Sequence, residues 1–147
     1  ANIAQMVNVL QAVILTDGAK MICTPTYHVF DLYKAHHDAN YLPSAITCGE
    51  CSGVKQLTAT ASEKEGVITL TATNTSCTDA LDVVVHLSGA SAKNVTARIL
   101  TGDMHDKNTF EDAEKVTVKP FDAVRVTETG LTMTLPACSV VEVTIRG

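Results

Sequence analysis

The chain has no tryptophan, and three tyrosines with three phenylalanines bring aromatics to only 4% of its 147 residues. Few rings are left for an exposed stacking platform. Basic residues are scarce as well: 11 Lys and Arg face 16 Asp and Glu, giving a formal charge of −5. With no basic cluster beyond pairs, the electrostatic footprint for a phosphate backbone or an anionic membrane is missing, so neither nucleic acid nor membrane is an expected partner. No stretch reaches the roughly 20 apolar residues that a spanning helix needs, and Ala1 to Leu15 has neither a basic start nor a small-residue cleavage site. Missing too are a Gly-x-Ser-x-Gly elbow and a Gly-rich phosphate loop before a helix. The five cysteines are odd in number and scattered, which favours reduced thiols in the cytoplasm over a disulfide framework. Cys48-Gly-Glu-Cys51 has the spacing of half a zinc site, but no second Cys or His pair completes it.

What is present is 46% hydrophobic residues in a length that suits one buried core with an appendage. Ile3, Met6, Val7, Leu10, Val13 and Ile14 recur at helical steps, which predicts an amphipathic helix from the outset of the chain. No cap and no initiator Met precedes that run, so the sequence reads as cut from something longer. The run ends at Asp17-Gly18, and a short apolar piece, Met21-Ile22-Cys23, follows. Thr24-Pro25 then places a cap residue before a first-turn proline, predicting a second helix from Tyr27 to about His37 with Tyr27, Phe30, Leu32 and Tyr33 on its apolar side.

Near residue 40 the organisation changes. From Leu57 onward the period is two: Ile68, Leu70 and Ala72; Val83, Val85 and Leu87; Leu131, Met133 and Leu135; Val141, Val143 and Ile145. Turn chemistry separates these runs at Glu63 to Gly66, Asn74 to Asp79, Ser88-Gly89, Gly102-Asp103, Glu128 to Gly130 and Pro136. About seven short strands with one apolar and one threonine-rich face predict a mainly β fold, an antiparallel β-sandwich of jelly-roll type. Threonine on an outward face suits a strand that lies against another layer.

Candidate chemistry is thin. Glycosidic hydrolysis needs two carboxylates roughly 5 to 9 Å apart across a cleft, and the acids here sit at turns: Glu63 and Glu65 at a hairpin tip, Glu111, Asp112 and Glu114 in a loop. Asp103, Asp106 and Asn108 could offer oxygens to calcium but lack the alternate-residue pattern and central glycine of the known loop. His36 and His37 are adjacent, so their side chains diverge instead of sharing a ligating face, and His28, His86 and His105 stand alone. The sequons at Asn74 and Asn94 matter only in a secreted protein. No catalytic residue and no metal ligand is expected.

Longer strings say more. Residues 1–39, ANIAQMVNVLQAVILTDGAKMICTPTYHVFDLYKAHHDA, resemble the end of the catalytic barrel of α-L-arabinofuranosidases of glycoside hydrolase family 51. LTATASEKEGVITLTATNTS is similar to that family's first sandwich strands, ILTGDMHDKNTFEDAEKVTVKPF to its Leu-Thr-Gly … Asn-Thr-Phe-Glu loop, and LPACSVVEVTIRG to its last strand. Asp112-Ala113-Glu114 departs from the usual Asn-Pro-Glu.

The resemblance implies two parts: residues 1–40, a terminal strand and helix of a (β/α)8 barrel, and residues 41–147, a C-terminal β-sandwich. It makes Ala1 to Gln5 the eighth barrel strand, with Gln5 at the C-terminal end where it would bind substrate by hydrogen-bonding arabinose; read alone, Gln5 is an ordinary polar residue of the first helix. The parent would remove terminal α-L-arabinofuranosyl groups from arabinan, arabinoxylan or their oligosaccharides with retention, without metal or cofactor, using two glutamates upstream of Ala1. Its partners would be the absent barrel, the arabinose-containing saccharide and other copies in a homo-oligomer. The 147 residues themselves would be catalytically silent. A carbohydrate-binding module on the same sandwich remains the alternative, with the scarcity of aromatics against it.

Overall fold

The computed structural model describes residues 5–147. Two antiparallel sheets are stacked face to face. The larger has six strands: β3 (Asn40–Leu42), β6 (Leu57–Lys64), β7 (Val67–Asn74), β13 (Ser139–Arg146), β9 (Asn94–Thr101) and β10 (Lys119–Pro120), in that spatial order. The smaller has three: β8 (Leu81–His86), β12 (Gly130–Leu135) and β11 (Val124–Thr127). Hairpins β1 (Ile14–Asp17) with β2 (Lys20–Cys23), and β4 (Glu50–Cys51) with β5 (Val54–Lys55), flank them. The mainly β, antiparallel fold therefore matches the period-two reading.

Strand alternation builds the core. Val141, Val143 and Ile145 of β13 and Leu70 and Ala72 of β7 point to one side, where they meet Val83, Leu131, Met133 and Leu135 of the smaller sheet. Each fully buried aliphatic side chain contributes on the order of 1.5–3 kcal/mol by leaving water. Turns set the register. At the β6–β7 tip, Glu65 (φ 54°) and Gly66 (φ 79°) are both left-handed, as a two-residue hairpin with the native twist requires. Glu63 accepts the Gly66 N–H at 2.7 Å and closes the tip. Gly130 opens β12 at φ 154°, where an added Cβ would lie 2.0 Å from the Val85 carbonyl oxygen. Only glycine fits.

The helical prediction for Ile3 to Ile14 is corrected; its first two residues lie outside the described ones. Asn8 (φ 55°) and Gln11 (φ 61°) are left-handed, the chain turns between them, and Ile14 already begins β1. The 3.6-residue spacing does not mark a helical stripe here: Ala12 and Val13 are buried, as is Ile22 of the hairpin, while Leu10 is 93% exposed. The expected eighth barrel strand, Ala1 to Gln5, lies outside the described residues except for Gln5.

The second helix is present as α1 (Pro25–Tyr33), continued by a 3₁₀ turn over Lys34–His36. Two details differ from the sequence reading. Thr24 occupies the cap position but its hydroxyl donates to the Ala12 carbonyl at 2.7 Å instead of capping the helix. Leu32 and Val29 form the inward side, and Tyr27 and Phe30 are exposed. α1 lies on the outer face of the six-stranded sheet, across β13 and β9. Position decides which apolar residues are buried: the sheet accepts one narrow stripe.

Candidate functional site

Gln5 is exposed at the start of the described residues. The segment that carries it is held from several sides. The Met6 carbonyl accepts the Val13 and Ile14 amides, each at 3.0 Å, and Val7 forms a parallel bridge with Ile14. Asn8 grips Thr16 twice, through its Nδ2 at 2.8 Å and its Oδ1 at 2.7 Å. Below the hairpin, Asn108 is 5% exposed and joins three strands of chain: its Nδ2 donates to the Cys23 and Val116 carbonyls, both at 2.9 Å, and its Oδ1 accepts the Val116 amide at 2.7 Å. Asn108 thus ties the loop after β9 to the segment that leads to Gln5. Weighing Asn108 as a cation ligand missed this role; the Asn-Thr-Phe-Glu string was the available signal.

Beneath α1 the sheet's outer face is polar yet covered. Ser62 (4%), Thr69 (6%) and Thr71 (0%) are buried, as the threonine-rich strand faces suggested. His36 bridges two of them, with Nδ1 2.7 Å from the Ser62 hydroxyl and Nε2 2.8 Å from the Thr71 hydroxyl. Burial lowers the His36 pKa from its ordinary 6.5, against the nearby Glu142 charge that raises it. Burial lowers His28 likewise, opposed by Asp31 and Glu114.

Next to this lies a charged triad. Arg98 donates from Nε to Glu142 at 2.7 Å and from an Nη to Asp31 at 3.0 Å, so one guanidinium joins β9, β13 and α1. Burial opposes the Arg98 charge, but the two carboxylates outweigh it and raise its pKa. Asp31 is lowered below its usual value, first by a hydrogen bond from Lys34 and further by Arg98. Both carboxylates are ion-paired acceptors, which suits them to holding layers together. Neither Arg98 nor Glu142 stood out in the sequence, because each occupies an ordinary polar position of an alternating strand.

The other candidates do not converge. Asp106 accepts the Asp103 amide and pairs with Lys115, and Asn108 is spent as described, so the three oxygens do not share a centre. Glu63 is consumed at its hairpin tip. Asn74 is 1% exposed, its Nδ2 donating to the Asp79 and Pro136 carbonyls, which takes that sequon out of reach of a glycan. Among the described residues, no three His, Cys, Asp or Glu side chains gather as a metal site. A cavity of about 390 Å³ opens between the sheets under Pro43 to Thr47, walled by Leu57, Leu70, Val83, Val85 and Met133 with His86 on its rim. Its lining is mostly aliphatic and carries no Phe, Tyr or Trp, unlike a saccharide platform.

A family model described as the α-L-arabinofuranosidase C-terminal domain matches residues 1–139. The chain belongs to that family. It is 40% identical over 153 aligned positions to an intracellular exo-α-L-arabinofuranosidase of Bacteroides ovatus, an alignment that takes in 99% of this chain and 30% of that protein. Its fold superposes on the family 51 arabinofuranosidase of Xanthomonas axonopodis pv. citri with a TM-score of 0.88 at 37% identity, covering 97% of this chain and 30% of the other. The family 51 α-L-arabinofuranosidase AbfB of Bifidobacterium longum gives 0.84 at 27% identity with the same coverage, 97% and 30%. The chain therefore spans about 30% of the length of these relatives. In this arabinofuranosidase C-terminal domain, the Asn108 loop and the Arg98 triad are devices for joining segments.

Proposed function

We propose that the chain is the sandwich-bearing end of a family 51 α-L-arabinofuranosidase. The parent removes terminal non-reducing α-L-arabinofuranosyl groups from arabinan, arabinoxylan and arabino-oligosaccharides by a retaining double displacement. One glutamate forms the glycosyl-enzyme, and a second serves as acid and then as base. Both come from a barrel outside these 147 residues, and the reaction uses no metal or cofactor. Residues 41–147 brace that barrel and support a homo-oligomer, and residues 1–40 complete it, with Gln5 hydrogen-bonding the arabinose. The cytoplasm is its compartment, in keeping with the name of the Bacteroides relative.

The observation that carries this reading is the family match over residues 1–139 within a chain that spans 30% of its relatives. Exposed Met6, Leu10, Met21, Tyr27 and Phe30 support it, since all lie in the part assigned to the barrel and would find cover there. Assay of the purified 147-residue chain on an aryl α-L-arabinofuranoside is expected to give no turnover, and turnover would overturn the division of labour. In the parent enzyme, Gln5→Ala should lower kcat/KM by about 10- to 100-fold, a loss of roughly 1.5–3 kcal/mol of hydrogen bonding to the sugar. An unchanged kcat/KM would remove Gln5 from the site. Size-exclusion mass measurement of the parent tests the oligomer.

A further inference from the structure

Three cysteines gather at one end of the sandwich, although they are far apart in sequence. The Cys138 amide donates to the Ser76 carbonyl at 2.8 Å, which places Cys138 beside the residue that follows Ser76, Cys77. Asn74 fastens the same two segments by donating to the Asp79 and Pro136 carbonyls at 2.8 and 2.9 Å. Cys138 is left-handed (φ 47°), so it leaves the line of β13 just before that strand begins. The two cysteines thus sit on adjoining backbone segments, Cys77 one residue beyond the carbonyl that receives the Cys138 amide. Cys77 is exposed and Cys138 half-buried. Cys51 is the third thiol, engaged with the Ser76 hydroxyl at 3.9 Å.

We infer that Cys77 and Cys138 form a peroxide-driven disulfide lock, which fastens the loop after β7 to the turn before β13. The exposed Cys77 thiolate attacks a peroxide oxygen, the O–O bond breaks, and the thiol becomes a sulfenic acid with release of water. The Cys138 thiolate then attacks the Cys77 sulfur, the S–O bond breaks, and a second water leaves. Two thiols and one hydrogen peroxide thus yield one disulfide and two waters. Burial raises the Cys138 pKa above its ordinary 9.0, with its neighbour Cys77 adding to the shift. The lock quickens as the pH rises, because the thiolate is the attacking form.

Hydrogen peroxide applied to the native chain tests this. Of five titratable thiols, three should remain, and peptide mapping should find Cys77 joined to Cys138. Closing so long a loop should raise Tm by about 5 °C or more, reversed by dithiothreitol. Cys77→Ser, at an exposed position, should abolish both the bond and the Tm shift. Treatment in urea should give scrambled pairs, showing that the folded arrangement selects the partner. Survival of all five thiols under native conditions, or a dominant bond within Cys48-Gly-Glu-Cys51 or between chains, would overturn the inference.

Discussion

The two faces of the six-stranded sheet are held by different physics. Toward the smaller sheet, Val141, Val143, Ile145, Leu70 and Ala72 meet aliphatic partners that supply area and no direction. Toward the helical segment, the same sheet presents Ser62, Thr71, Arg98 and Glu142, each tied to a named atom of that segment or of a neighbouring strand. A core of aliphatic side chains tolerates repacking, because any shape of about the right volume keeps most of the transfer free energy. A polar interface does not, since one lost partner strands the other. The inner face makes the domain stable; the outer face fixes where the helical segment sits on it.

Breaking the inner face should cost most. Leu131 is fully buried between the sheets, and Leu131→Ala should destabilise by about 3 kcal/mol, seen as a Tm drop of roughly 10 °C. A drop under about 2 °C would mean that the core relaxes freely and is not close-packed. On the outer face, Arg98→Met leaves Glu142, 6% exposed, without its cation. The expected cost is about 1.5–3 kcal/mol by urea unfolding. Adding Glu142→Leu should recover much of that loss, because a buried pair replaced as a unit is often nearly neutral. If the double variant is worse than the single, the triad supplies net stability, and the contrast between the faces weakens.

The faces also differ in their response to pH. The folded pKa of His36 lies below the unfolded value of 6.5, so the unfolded chain binds the proton more readily. Stability is full above pH 6.5, falls as the pH drops from there, and stops falling from this cause once the pH is below the folded value. His28 titrates in the same direction, also through burial. Asp31 adds a second loss at lower pH, since its folded pKa lies beneath the usual 3.8. His36→Asn should flatten the first slope and leave the inner face untouched. A slope that persists in His36→Asn with His28→Asn would place the sensitivity elsewhere.

How much of this was legible varied along the chain for physical reasons. β7, β8, β12 and β13 were readable because one side of each faces a core, which forces alternation into the sequence. The threonine-rich faces correctly suggested a covering layer, and the Glu63 to Gly66 tip announced its turn. Residues 6–13 were misread because helical spacing of apolar residues can equally be met by a looped segment that buries only part of the run, here Val13 with its neighbour Ala12. Thr24 kept the position of a cap but took a partner eleven or twelve residues back, a choice no local rule contains. Arg98, Glu142 and Asp31 join three elements, and nothing in their spacing records that meeting. The family came from long ordered strings, and the role of Gln5 rests on those strings alone.

The smallest effect sharpens the comparison within a single carboxylate. Asp31 takes Lys34 at 2.6 Å on one oxygen and Arg98 at 3.0 Å on the other. The lysine bond is shorter and weighs more on the Asp31 carboxyl, yet the Lys34 side chain is 68% exposed and spaced three residues away on the same helical segment. Water screens such a pair, and holding a long side chain in place costs entropy, so Lys34→Ala should change stability by only about 0.3 kcal/mol. Arg98 joins Asp31 to a different layer, so its loss releases the helix from the sheet as well as removing a charge. Urea unfolding of the two single variants should therefore rank Arg98 well above Lys34, in the reverse order of their distances to Asp31. Equal costs would mean that the Arg98 bridge does not place α1, leaving that task to Leu32 and to the His36 bonds.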